Sequence, residues 1–473
     1  MQQVVKHLKS TSYDRRKTRI GVVHVGVGAF HRAHQAVYFD DLMDRSGDHR
    51  WAIAGVNLRP AQSDDMLRLR NLDHGYAVKS YAPDGNHEYR LVRSHREFVD
   101  WVFNPNDAEG LLARDSVELV TMTVTEGGYC VGDDGKLNLD DAEIRNELVG
   151  RSRTSVYAYL RAGLAMRLAA GGRPLTVLCC DNLRSNGRFL SENLTRYLRA
   201  MGDVELLSWV ADSVSFPCSM VDRITPRPDP GHSAEVAERF GIAGDFTIHC
   251  EQFLQWVIDD RFAGERPRLD VAGAKFVDDV HPYEEAKIRI LNGSHVATCF
   301  AGVLRGHRTF DVVLADPELR RQFEALTRNE ILPSLETPSP VDHRDYLAGV
   351  TSRFLNRAIA DPLSRIGMDG ASKFPIFLLP TIRGCFDRGI VPEQAIAAIA
   401  SWYVVLRRCL SGQMDFDYID SKMDAIRPTL AAGGEHDFAR SQYLWGDTAV
   451  RYDKFVPMLC SMIAQLESEF QAA

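Results

Sequence analysis

Lys287, Asn292 and His295 stand close together in the segment PYEEAKIRILNGSH (Pro282–His295), and these side-chain types suit hydride chemistry on an alcohol. An alcohol must lose its O–H proton as hydride leaves carbon. A desolvated lysine can take that proton as general base. An asparagine amide can donate to the alkoxide or carbonyl oxygen, and a histidine can orient substrate or base. Glu284, three residues before Lys287, can modulate it or relay its proton. On an ideal α-helix Asn292 lies about 140° and His295 about 80° from Lys287, so all three share one arc. The alternative is a surface helix with a Glu284–Lys287 pair contributing a few tenths of a kcal/mol. Asn292-Gly293 by itself is a turn signal.

A second group surrounds the run VVHVGVGAFHRAH (Val22–His34). Gly26-Val27-Gly28 follows an apolar strand, and Ala29, Phe30 and His31 open the next helix. The first glycine permits a tight turn and the second lets backbone approach a pyrophosphate. His31 stands where the third glycine of GxGxxG would be. A ribose-binding acid is expected beyond the second strand, where Arg59, Asp64 and Asp65 occur. The acids favour NAD, and Arg59 leaves NADP open. His31 and His34 form an HxxH pair with no acidic or third histidine partner nearby, and the chain contains neither HExxH nor CxxC. No metal is expected.

Other polar clusters have two readings each. Asp181-Asn182 ends an apolar strand, where ligands bind in open parallel sheets, or it caps a loop. Asp222-Arg223 reads as a Pro-bounded loop with a structural ion pair. Arg365 and Lys373 flank Gly370 as solvated loop charges. Thr125–Tyr129 ends another strand and can border the cofactor.

These groups must be held by elements that the apolar pattern locates. Ile20–Val25, Trp51–Leu58, Val117–Val124 and Leu175–Cys180 are short apolar runs followed by turn or helix-starting residues, as in a parallel sheet buried on both faces. Gly244–Cys250 and Arg268–Val277 look like further strands. Beyond about His281 the pattern becomes helical, with prolines at helix starts in Asp316-Pro317, Val391-Pro392 and Val456-Pro457. The expected architecture is α/β: a Rossmann-type parallel-sheet domain over residues 1–283, then an all-α substrate and catalytic domain over 284–473. The active site is expected in the cleft between them.

The 473 residues carry 56 Lys+Arg against 64 Asp+Glu, a formal charge of −8, which offers no basic field for nucleic acid or an anionic membrane. The apolar run Ala395–Leu406, with Ser401 inside it, is shorter than the about 20 residues a bilayer needs. The polar N-terminus lacks a signal-peptide core, and nine scattered cysteines suit reduced thiols. A cytoplasmic protein is expected.

Taken together, GVGAFHRAH (Gly26–His34), TVTEGGY (Thr123–Tyr129), CDN (Cys180–Asn182), MVDRITP (Met220–Pro226) and KIRILNGSH (Lys287–His295) resemble the mannitol dehydrogenase family of polyol-specific long-chain dehydrogenases. That family includes D-arabinitol dehydrogenases and hexuronate reductases. The resemblance implies a metal-independent mechanism with Lys287 as base and Asn292 and Asn182 as oxyanion donors, beside His295. It also implies that Asp222, Arg365 and Lys373 contact substrate hydroxyls. DGASKFP most resembles arabinitol and mannitol dehydrogenases, which makes D-arabinitol to D-xylulose the first expectation and D-mannitol to D-fructose the second. The acidic pair expected near the ribose is displaced or absent at Arg59-Pro60-Ala61-Gln62. A ketouronate reductase and a catalytically silent nucleotide-binding regulator are the rival readings. The expected partner is a small polyol or ketose, with oligomeric state open and a monomer favoured.

Overall fold

The computed structural model describes residues 7–72, 74–132, 134–431 and 433–472. The chain divides into two compact units, residues up to 281 and residues 282 onward, the second also taking Pro83–Gly85.

The first unit is built on six parallel strands: β1 (Ile20–Val25), β2 (Ala52–Asn57), β3 (His95–Asp100), β4 (Leu119–Met122), β5 (Leu175–Cys179) and β6 (Val214–Ser215). Their spatial order is β3-β2-β1-β4-β5-β6, with every neighbouring pair parallel. This is the doubly wound order of dinucleotide-binding sheets, and its direction reverses between β1 and β4. Both faces are covered. Val23 and Val25 pack into one apolar core with Val56, Val120 and Cys179. Val22 faces the other core, with Ile53, Leu119 and Leu178. Burial on both sides explains why these strands read as continuous apolar runs rather than alternating ones.

Two smaller sheets complete the unit. Leu8–Ser10, His87–Val92, Tyr76–Tyr81 and Ile248–Glu251 form one, and Ser219–Asp222, Gln255–Asp259 and Lys275–Val277 form the other. The expected strand Arg268–Val277 is only half realised. A 3-10 turn takes Leu269–Ala272, Gly273 turns the chain at φ 98°, and only Lys275–Val277 pairs.

The second unit is helical among its described residues apart from one isolated bridge between Thr309 and Pro362. Ser294–Leu304 packs on Glu393–Leu410, which in turn packs on Phe455–Ala472. Trp402 stacks on Phe374 at 4.7 Å, and a Cβ at Gly370 would come within 2.8 Å of the Trp402 indole nitrogen. Glycine is therefore needed where DGASKFP crosses that indole. No described helix is long and apolar enough to cross a membrane.

Candidate active site

The glycine turn lies at the carboxyl end of β1, on the β1 side of the point where strand order reverses. Gly26 has φ 91°, and a Cβ there would sit 2.1 Å from the Thr123 carbonyl oxygen at the end of β4. That contact fixes glycine at the first position. At Gly28 a Cβ would meet nothing within 4 Å, so the backbone is open to a ligand. A bare turn at the switch point, opening onto the helix Ala29–Ala33, fits a dinucleotide pyrophosphate.

His31 replaces the third glycine by packing flat. Its ring stacks on His24 of β1 with centroids 3.2 Å apart, and its Nε2 lies 3.0 Å from Nε2 of His95 on β3. Two imidazole faces thus give the close helix–strand approach that a glycine gives elsewhere. His24 Nε2 lies 3.0 Å from the Gly26 carbonyl and 3.0 Å from the Thr123 hydroxyl. Burial pushes His24 down to about 3 and holds His31 and His95 well below the usual imidazole range, so all three are neutral. His34 turns away and bonds the Gln255 carbonyl at 2.8 Å. The HxxH pair is therefore spent on packing and backbone contacts. Among the described residues no three His, Cys, Asp or Glu side chains are grouped to hold a metal.

Asp181, at the exit of β5, caps a loop, though a distant one rather than its own. Its carboxylate accepts from the Val124 and Thr125 N–H groups at 3.0 and 3.1 Å and from the Tyr129 hydroxyl at 2.6 Å. It thereby fastens the Thr125–Tyr129 turn beyond β4, where Thr125 holds a left-handed φ of 66°. Asn182 follows it and is exposed at the carboxyl edge of the sheet. Asp222 is not in a loop, as its proline-bounded sequence suggested. It is buried as the last residue of the strand Ser219–Asp222. Nor does Arg223 act only as a local partner. Its guanidinium donates to the carbonyls of Glu251 and Ala33, clamping the end of the phosphate-side helix.

In the helical unit, the backbone over Lys287–Gly293 is π-wound rather than α-helical. The i→i+5 bonding turns each residue by about 80°, which brings Asn292 to within about 40° of Lys287 instead of about 140°. Asn292 is thus closer to Lys287 in azimuth than an ideal α-helix allows. Arg289 anchors the segment, donating to the hydroxyls of Thr381 at 2.9 Å and Ser334 at 2.6 Å. Gly293 admits the Phe377 carbonyl, which would lie 2.8 Å from a Cβ. The Asn292-Gly293 pair is therefore not a turn but a point of close helix approach.

Lys287 and Glu284 are both buried. Asn292 Oδ1 and His295 Nε2 are buried atoms with no hydrogen-bond partner among the described residues. His295 is stacked on Phe354 at 4.5 Å and meets the edge of Phe310 at 4.2 Å. Burial in this aromatic clamp pushes its imidazole down to about 3, so the ring is neutral. Its Nε2 stands 3.8 Å from Asp361 Oδ2. Asp361 in turn accepts from Arg365 Nε at 2.6 Å and from its second terminal nitrogen. Lys373 donates to the Ile366 carbonyl at 3.0 Å and, at 3.4 Å, to that of Arg365. Arg365 and Lys373 are thus not solvated loop charges. They lie on the helices Leu363–Gly367 and Gly370–Phe377, within one network that reaches His295. Asp361, Phe310 and Phe354 carried no sequence signal, because a buried ion pair and an aromatic clamp are defined by non-local packing.

Residues 20–271 match the model of the mannitol dehydrogenase Rossmann domain, and residues 279–434 that of the mannitol dehydrogenase C-terminal domain. The chain belongs to the mannitol dehydrogenase family. It is 34% identical to a mannitol 2-dehydrogenase of Phaeosphaeria nodorum, over 97% of this chain and 81% of that protein. It is 35% identical to a D-arabinitol 4-dehydrogenase of Ralstonia nicotianae, over 91% of this chain and 93% of that one. It is also similar to the solved structure of Pseudomonas fluorescens mannitol 2-dehydrogenase in ternary complex with NAD and D-mannitol. The TM-score is 0.89 at 32% identity, covering 98% of this chain and 95% of that one. Within the mannitol dehydrogenase family these relatives are oxidoreductases, and the glycine turn and the Lys287 helix fall in the two matched domains.

Proposed function

We propose that the protein is an NAD-dependent, metal-independent polyol dehydrogenase that oxidises a secondary alcohol of a sugar alcohol to a ketose. The observation that carries this reading is the π-wound segment: a buried Lys287 on one arc with Asn292, whose buried Oδ1 lacks a hydrogen-bond partner among the described residues, next to His295, whose Nε2 also lacks one among them. An unmatched amide oxygen and a neutral imidazole nitrogen can each bond a substrate hydroxyl.

When bound at the Gly26–Gly28 turn, NAD supplies the hydride acceptor. Lys287 takes the alcohol proton as hydride leaves carbon and returns it in the reverse reaction. Asn292 stabilises the charge developing on the substrate oxygen through its amide N–H, and Asn182 is proposed as a second amide donor. His295, neutral at working pH, hydrogen-bonds substrate rather than supplying charge. Asp222, Arg365 and Lys373 are proposed hydroxyl contacts.

D-arabinitol to D-xylulose is the first substrate pair proposed and D-mannitol to D-fructose the second, in keeping with the activities named for the relatives. A ketouronate would bring a carboxylate and need a free cation. The pairing of Arg365 with Asp361 through two nitrogens favours a neutral polyol instead. The test is a panel of polyols, ketoses and ketouronates with NAD(H) and NADP(H), followed at the nicotinamide absorbance. Turnover of D-arabinitol or D-mannitol is expected. Turnover confined to ketouronates, or none with any of these substrates, would overturn the reading.

A further inference from the structure

We infer that Arg59 is the contact for a ribose 2′-phosphate and that Glu143 competes with that phosphate for it, so an internal ion pair sets the NADP/NAD preference. The inference rests on the dinucleotide reading of the glycine turn.

The last residue of β2 is Asn57, not an acid. Its amide is committed to the chain: Oδ1 accepts from the Arg59 N–H at 3.0 Å and Nδ2 donates to the Arg59 carbonyl at 2.8 Å. Asn57 thus fixes the backbone from which the Arg59 side chain leaves. The amide is neutral, and the nearby carboxylate, Asp100 Oδ2, lies 3.4 Å from its Nδ2. Asp64 and Asp65 are exposed first-turn acids of the helix Ser63–Arg70, and Asp65 lies 3.7 Å from Arg68 of the same helix. Helix-end electrostatics accounts for both.

The Arg59 guanidinium reaches over the turn beyond β4, where one terminal nitrogen would lie 3.5 Å from a Cβ on Gly128. Its other terminal nitrogen stands 3.6 Å from Glu143 Oε1, a buried atom with no hydrogen-bond partner among the described residues. Arg59 itself is 45% exposed. A loose single contact by a half-exposed arginine stabilises little. A phosphate offers the planar guanidinium two parallel charge-assisted bonds. Glu143 Oε2 accepts from the Cys130 thiol at 3.6 Å.

The experiment measures kcat/KM for NADP and for NAD, with one polyol, in the wild type, Glu143→Gln, Arg59→Ala and the double variant. The ratio of the two values cancels any general loss of active enzyme. Glu143→Gln should raise the NADP/NAD ratio at least about tenfold, and Arg59→Ala should lower it at least about tenfold in both backgrounds. Calorimetry should show the same order for adenosine 2′,5′-bisphosphate against adenosine 5′-monophosphate. If Glu143→Gln fails to fold, Glu143→Asp shortens the arm and should move the ratio in the same direction. A ratio unmoved by either single change overturns the inference while leaving the dinucleotide reading intact. If the wild type binds neither cofactor, both fall.

Discussion

The helical unit winds as a π-helix over Lys287–Gly293 and again over Leu326–Ile331, and the two segments treat their polar side chains differently. In the second, Glu330 is buried with both carboxylate oxygens occupied. They accept from the Gln394 and Ala395 N–H groups at 2.7 and 2.9 Å. These are donors at the start of the helix Glu393–Leu410, whose own N-cap, Pro392, makes no side-chain cap. Glu330 is a cap delivered from another element. In the first segment, Asn292 Oδ1 is buried and unmatched among the described residues. The loosened backbone is the same. The two segments differ in whether their buried polar groups are matched by the described residues.

That comparison can be broken or sharpened by substitution. Lys287→Ala should lower polyol oxidation by at least about 10²-fold, the lower scale for a positioned base. It should also abolish the rise of kcat/KM with pH expected when the base must be neutral, while calorimetry still detects cofactor binding. Near-normal turnover would return Lys287 to a purely structural role. Asn292→Ala should reduce kcat by about 10²-fold through loss of an oxyanion donor but keep that pH dependence. A flattened profile would instead make Asn292 part of the proton path.

Glu330→Ala should act on stability. It leaves two helix donors uncapped at a cost of about 1–3 kcal/mol, read as a lowered unfolding midpoint with kcat of the folded fraction retained. Its pH dependence follows from burial, which pushes the Glu330 carboxyl up to about 7 from its ordinary 4.5. The native state then binds this proton more tightly than the unfolded chain. The contribution is fully present below about 4.5 and is lost as pH rises toward 7. Calorimetric melts should show this fall in the wild type and a smaller one in Glu330→Gln, which cannot ionise. Equal slopes would mean Glu330 stays charged throughout. The smallest effect concerns metals: dialysis against a strong chelator should leave turnover unchanged, since the described residues offer no clustered donors. Activity lost and then restored by zinc would contradict this.

Much of this was legible in the chain, for identifiable reasons. A strand buried on both faces needs an unbroken apolar run, so β1, β2, β4 and β5 announced themselves within a residue or two at each end. Gly26 was legible because only glycine tolerates its left-handed φ and the nearby carbonyl. The strand β3 and the strands Tyr76–Tyr81 and His87–Val92 were not read, because their mixed polar pattern lacks such a run. Asp222 was misplaced because nearby prolines outweighed a strand of only four residues.

Sequence by itself determined the alternating sheet, the glycine turn and the candidacy of Lys287, Asn292 and His295, since each rests on residue types a few positions apart. Tertiary structure decided how those three side chains are disposed. The π winding of Lys287–Gly293 accompanies anchoring by Thr381 and Ser334 and the close pass of the Phe377 carbonyl. The neutrality of His295 depends on Phe310 and Phe354, and the pairing of Arg365 on Asp361. Local spacing sets which groups a helix carries. Their direction, burial and charge are fixed by neighbours distant in sequence, whose contacts form only when the helices pack.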